Sequence, residues 1–172
     1  MTTTPAAPRS VSPQGLIFAL SAEETAEIVA EIAHVPEPAS ATIEALRIVQ
    51  RHRGWVSDES VAAIARLLGT SSAAVDSVAT FYNLIYRQPV GRHVVMFCDS
   101  VSCFVMGCDK LRVALEQKLD LALGETTPDG RFTLLPIVCL GACDHAPAMM
   151  IGEDLILDVS PQMLDAVFAR YT

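Results

Sequence analysis

His93-Val94-Val95-Met96-Phe97-Cys98-Asp99-Ser100-Val101-Ser102-Cys103 is the stretch on which the reading of this chain turns. His93 to Phe97 has the short apolar run of a strand, which delivers Cys98 at its end, and a loop then carries Cys103. A second pair, Cys139 and Cys143, lies beyond a gap of 35 residues. That gap reads as a helix from about Val105 to Leu119 and a strand from Phe132 to Val138. Thr127-Pro128-Asp129-Gly130 is the turn before the strand, with Pro pre-set and Gly able to take a positive φ. Both cysteine pairs therefore stand at strand ends. Ala148 to Ile151 and Leu155 to Asp158 flank Gly152-Glu153-Asp154 as a hairpin. Ser160-Pro161 opens a last helix as N-cap and first helical residue, with Leu164, Val167, Phe168 and Tyr171 on its apolar face. Strand, helix, strand, hairpin and helix in this order predict a small α/β sheet layer.

Upstream of Pro89 the period is helical. Ser21 with Glu24 makes a capping box ahead of Ile28, Val29 and Ile32, and Pro36 and Pro38 end that helix. A second helix carries Ile43, Leu46 and Val49 on one face and stops at Gly54. Ser57 caps a third, with Asp58 and Glu59 complementing its N-terminal dipole, and Gly69 closes it. A fourth is predicted from about Ser72 to Tyr86, with Val75, Val78, Tyr82 and Ile85 on one stripe. On that spacing Phe81 and Tyr82 read as packing residues rather than cofactor contacts. The Thr/Pro/Ala/Ser-rich start is expected to be disordered over residues 1–14. The division is then a helical bundle over 15–88 and a cysteine-bearing unit over 89–172.

Four thiolates converging from two loops make a metal site. Sulfur is the soft ligand that selects iron–sulfur clusters, zinc or copper(I), and four sulfurs satisfy either one zinc ion or a two-iron cluster. Both loops also fall within the short spacing of zinc sites, so spacing leaves the metal open. The alternatives are inert buried thiols and structural disulfides. Disulfide frameworks belong to small secreted chains, and the opening MTTTPAAPRSVSPQG lacks the basic start and apolar core of a signal peptide. The expected compartment is the reducing cytoplasm. A four-thiolate cluster is anionic, so its loops should aim backbone N–H groups at the sulfurs, and Asp99 to Ser102 and Leu140 to Ala142 suit that approach. Gly141 is the residue expected to take a positive φ there.

At 172 residues the chain holds one ordinary domain or two small ones, and 51% apolar residues allow a proper core. No apolar run approaches the 18 residues or so of a membrane span, so no direct membrane insertion is expected. A net charge of −8 with scattered basic residues argues against nucleic acid.

The runs GWVSDESVAAIARLLG, VATFYNLIYRQPVGRHV, CDSVSC, LGETTPDGRFTLLP and VCLGACDHAPAMMIGED together resemble the E subunit of bacterial NADH:quinone oxidoreductase, complex I. The same module is similar to the small subunits of NAD-reducing hydrogenases and NAD-dependent formate dehydrogenases. The resemblance implies an α+β fold, a helical bundle followed by a thioredoxin-like ferredoxin domain. It implies one [2Fe–2S] cluster bound by Cys98, Cys103, Cys139 and Cys143. It also implies an adjacent NADH-binding flavoprotein subunit carrying FMN, a large iron–sulfur subunit in the same complex, and a peripheral arm on the cytoplasmic side of the membrane. The chain itself would not be catalytic, because it has no GxGxxG phosphate cradle and no nucleophile with an orienting base. The bundle is the expected docking face for partners. A zinc-stabilised module without redox activity is the other class.

Cys108 departs from the pattern and reads as a buried free thiol. His145 invites a Rieske-type reading, but such centres need two histidines, so it is expected to stand behind the ligands or face solvent. His34, His52 and His93 have no metal-like spacing.

Overall fold

The computed structural model describes residues 20–172. The disordered start expected over residues 1–14 lies outside the described residues. Helix α1 spans Ala22–Ile32 and opens on the capping box: the Glu24 N–H donates to Ser21 Oγ at 3.0 Å and the Ser21 N–H to Glu24 Oε2 at 2.7 Å. After a 3-10 turn at Pro38–Ala41 come α2 (Thr42–Arg53) and α3 (Asp58–Leu68), the latter capped by Ser57 as predicted. Helix α4 spans Ser72–Phe81. Ile28, Leu46, Val49, Ile64, Leu68 and Val75 meet in one core, each contributing about 1–3 kcal/mol by burial.

Helix α4 is shorter than predicted. Beyond Tyr82 the backbone leaves the helix for tertiary partners: Gln50 donates to the Leu84 carbonyl at 2.7 Å and accepts from the Tyr86 N–H at 2.6 Å, while the Val56 N–H donates to the Tyr86 carbonyl at 2.8 Å. Ile85 still enters the core, now from an extended strap. Phe81 and Tyr82 do not pack as predicted. Both are exposed and meet edge to face, ring centroids 5.4 Å apart. Val75 and Ala79 form the buried stripe, and Phe81 falls off it.

The sheet has strand order β2-β1-β3-β4, with β1 at His93–Cys98, β2 at Phe132–Ile137, β3 at Met149–Ile151 and β4 at Asp154–Ile156. Strand β1 runs parallel to β2, from His93 opposite Phe132 to Cys98 opposite Ile137, and antiparallel to β3. Strands β3 and β4 form the predicted hairpin with a shorter turn, Gly152 and Glu153, because Asp154 pairs with Ile151, and β4 ends at Ile156 rather than at Asp158. The pleat sorts β1 by face. Val95 and Phe97 pack with Leu134, Met149 and Ile151 against two helices, one at Cys108–Leu119 and the last at Leu164–Phe168. Val94, Met96 and Cys98 face the other way, with Ile137 and Ala148, against Tyr86 and Val90 of the strap.

Three further predictions need correction. Cys103 lies in a short helix, α5 (Val101–Val105), rather than in a loop. The following helix, α6 (Cys108–Leu119), starts at Cys108 and not at Val105, because Gly107 takes φ 97° and separates the two. Ser160 makes no side-chain cap; the segment after it is a 3-10 turn, Pro161–Met163, before α7 (Leu164–Phe168). Among the described residues no single helix is long and apolar enough to cross a membrane.

Candidate metal centre

Cys98 ends the central strand of the sheet, and neighbours on both sides fix it. The Cys98 N–H donates to the Ala148 carbonyl at 3.0 Å, and the next N–H, of Asp99, donates to the Ile137 carbonyl at 3.1 Å. From α5, the Cys103 sulfur lies against that of Cys98. Both are buried. Burial pushes the Cys103 thiol up to about 11, with the Cys98 sulfur adding to the rise and a hydrogen bond with the Ala148 backbone opposing it. A thiolate there needs a compensating positive charge, which is what a metal supplies.

The second pair is exposed. Cys139 and Cys143 hold their sulfurs 3.9 Å apart, far from the 2.05 Å or so of a disulfide. Two sulfurs on one tetrahedral metal with bonds of about 2.3 Å stand about 3.8 Å apart. The spacing fits two ligands of one ion. Gly141, at φ 79° as expected, turns its N–H onto the Cys139 sulfur at 3.3 Å. A side chain there would be strained in that conformation.

The turn bearing Cys143, the 3-10 turn Cys143–His145, packs against α5 and so brings the two pairs to one end of the sheet. Two bonds tie it to the exit of β4: the Asp158 N–H donates to the His145 carbonyl at 3.0 Å, and the His145 ring meets the Asp158 carboxylate at 2.9 Å. That hydrogen bond, with the charges of Asp158 and Asp144, holds the imidazole above its ordinary value. His145 is half exposed and occupied with Asp158, so it faces solvent, one of the two expectations.

The pairs remain two pairs. Among the described residues no three His, Cys, Asp or Glu side chains form one metal-binding group. A structural zinc asks for four ligands on one tetrahedron, whereas a [2Fe–2S] cluster asks for two on each of two irons, and paired thiols match the second donor set. Cys108 is buried beside Cys98 and Cys103 at the first turn of α6, its thiol raised mainly by burial. Sequence reasoning missed the character of α5: Phe104, Val105 and Met106 are exposed, and a helix running on from Val105 gives no reason to distinguish them.

A four-stranded mixed sheet with paired thiols at its strand ends, preceded by helices, has the donor chemistry of a thiolate-bound metal protein. A family model described as thioredoxin-like [2Fe-2S] ferredoxin matches residues 28–172. The E subunit of NADH-quinone oxidoreductase from Escherichia coli K12 is 50% identical over 159 residues, covering 92% of this chain and 96% of that protein. Its counterpart in Pseudomonas aeruginosa is 47% identical over 154 residues, covering 90% and 93%. The structure of an NAD+-reducing [NiFe]-hydrogenase in the H2-reduced state superposes with a TM-score of 0.65 at 22% identity, over 77% of this chain and 22% of that one, a likeness of fold alone. The chain belongs to the thioredoxin-like [2Fe-2S] ferredoxin family, alongside the E subunits of NADH-quinone oxidoreductase.

Proposed function

We propose that this chain is the electron-transfer subunit of an NADH:quinone oxidoreductase, holding one [2Fe–2S] cluster on Cys98, Cys103, Cys139 and Cys143. Its neighbour is the NADH-oxidising flavoprotein subunit with FMN, and the large iron–sulfur subunit belongs to the same complex. The assembly sits on the cytoplasmic side, as the peripheral arm of a membrane complex. The likeness to the E subunits carries the assembly, and the Cys139–Cys143 pair, 3.9 Å between sulfurs with the Gly141 N–H aimed at one of them, supports the ligand set.

When bound, such a cluster supplies a one-electron couple. The chain's own residues do the rest. Cys98 and Cys103 offer sulfurs from a dry side, with Met96 and Ile137 packed behind them, and Cys139 and Cys143 offer theirs from the wet side. Backbone donors at Cys139 and Cys103 stabilise negative charge on sulfur, which favours the reduced state. Nothing in the sequence cradles a dinucleotide, so NADH and FMN belong to the partner in this reading.

Mixed anaerobically with the flavoprotein subunit, the cluster-loaded chain is expected to lose visible charge-transfer absorption when NADH is added, and to keep it when the flavoprotein is left out. Bleaching without the flavoprotein, or none with it, contradicts the reading.

The expected unit 15–88, of which residues 15–19 lie outside the described residues, and the unit 89–172 are proposed to fold separately, since one core draws on Ile28 to Ile85 and another on Val95 to Phe168. Metal removal should then loosen amide protection in 89–172 and leave 20–86 protected. Equal loss in both would refute their independence.

A further inference from the structure

We infer that the cleft between α2 and the β3–β4 hairpin is a binding site for an amphipathic anion, an apolar or aromatic body that carries one sulfonate, carboxylate or phosphate group. The inference goes beyond electron transfer, since none of the five cysteines lines this cleft. Its volume is about 930 Å³, near the upper end of the roughly 300–1,000 Å³ of small-molecule sites. One wall is the face of α2 that carries Ile43, Arg47, Gln50 and Arg51, which helical spacing puts on one side. The opposite wall is the strap after α4, and Met150, Gly152 and Glu153 of the hairpin close the cleft.

The shape is fixed by bonds that need no ligand. Gln50 uses both ends of its amide on the strap, at the Leu84 carbonyl and the Tyr86 N–H, and so sets the distance between the two walls. Gly54, Gly91, Gly130 and Gly152 also line the cleft, and backbone without side chains leaves the space open. The apolar lining is wet. Tyr82 and Leu84 keep 43% and 49% of their surface in water, and Tyr86, Val90 and Met150 are half-buried beside them. An apolar body laid against these side chains removes that surface from water, which favours its binding.

Charge sets the other half of the ligand. Arg47, Arg51 and Arg92 line the cleft against the single carboxylate of Glu153, in a chain whose net charge is −8. Glu44 and Glu27 hold Arg47 and Arg51 by one bond each, at 3.2 and 2.9 Å, and a guanidinium with five N–H donors has others to offer. The Arg92 guanidinium makes no hydrogen bond among the described residues, and neither does the Tyr86 hydroxyl. Burial pushes the Tyr86 phenol up, so it stays protonated and can donate to an anionic oxygen. Guanidinium groups facing tyrosine rings suit an acidic head on an apolar or aromatic body.

The test titrates the cluster-loaded full chain with anilinonaphthalene sulfonate and follows its fluorescence. Arg47→Gln and Arg92→Gln are each expected to weaken binding by about fivefold or more. Arg66→Gln, the same charge change on α3 outside the cleft, should leave it unchanged. Phenylnaphthylamine, the same aromatic body without the sulfonate, should bind more weakly and respond to neither cleft variant, whereas Leu84→Asp should weaken both dyes. Circular dichroism and visible absorption report fold and cluster, and the two arginines, on separate elements, keep the test decisive if one variant disturbs either. Binding of the sulfonate that survives both cleft substitutions, or falls equally in Arg66→Gln, overturns the inference. Equal affinity for the uncharged dye shows an apolar surface without anion recognition and overturns it as well. So does a chain that ignores the dye and binds polyglutamate instead, which would assign the cleft to an acidic peptide.

Discussion

Replacing Cys98, Cys103, Cys139 or Cys143 by Ala is expected to strip most of the cluster, while Cys108→Ala retains it. In the proposed ligand set each cysteine belongs to one of two pairs, so a single loss would leave one iron with three sulfur ligands in place of four. The exposed pair is the sharper case. Cys139 and Cys143 project from a short loop with their sulfurs already 3.9 Å apart, and no other thiol on that loop can substitute. On the buried side Cys108 is near, but it occupies the first turn of α6 beyond the Gly107 break rather than α5. Its own removal takes away one small packed group, costing about 1 kcal/mol. Iron and acid-labile sulfide per chain, measured on the five variants, decide the matter. Cluster lost in Cys108→Ala and kept in Cys103→Ala would show a different ligand set.

The largest stability effect is expected in the bundle, at Glu24. Its side chain is buried, and Arg53 approaches it with Nε and Nη2 both at 2.5 Å, across from the Ser21 N–H. Arg53 Nη1 also reaches Ser60 Oγ at 3.3 Å, so α1, α2 and α3 share one polar junction. Glu24→Ala takes the carboxylate away from a partly buried guanidinium and removes half of the capping box. The expected loss is about 3 kcal/mol, the low end for a broken buried pair, because Arg53 keeps 26% of its side chain in water. Urea unfolding followed by circular dichroism measures it, and a loss below about 0.5 kcal/mol, as for a surface pair, would contradict this placement. The pH dependence follows. Burial pushes the Glu24 carboxyl up, but the Arg53 hydrogen bonds and the Ser21 N–H outweigh it and hold it below the ordinary carboxylate value. A carboxylate depressed in the folded state adds stability fully above its unfolded value near 4.3, and that contribution fades as the pH falls through the folded one. Glu24→Gln should flatten the acid side of the stability profile.

Much of this is legible in the sequence where local chemistry decides the structure. Ser21 with Glu24, Ser57 ahead of Asp58, the stop at Gly54 and the positive φ of Gly141 are local rules, and the structure follows them. The strand alternation of Val94 to Phe97 also carries through, because a sheet buried on both faces leaves little choice of register. The failures are tertiary. Nothing near Tyr82 announces that Gln50, 36 residues before Tyr86, takes over the backbone bonds of the strap and ends α4 early. Residue type draws Phe81 into the core, whereas its phase, off the Val75–Ala79 stripe, places it in water; that signal is in the sequence. The helix at Cys103 is hidden because Val101 to Val105 lacks the length and periodicity of a helix, and a single glycine at 107 does not announce a break between two. Spacing singles out the four cysteines of the proposed ligand set. It does not divide them into a dry pair and a wet pair, since that depends on which strand is central and which loop lies at the sheet edge.

Whether a two-iron cluster sits on the four thiols is decided by the metal and sulfide content of the chain purified without oxygen, read with its visible spectrum. Two irons and two acid-labile sulfides per chain are predicted, with charge-transfer absorption that bleaches on one-electron reduction. One zinc per chain, no sulfide and a colourless protein would contradict it.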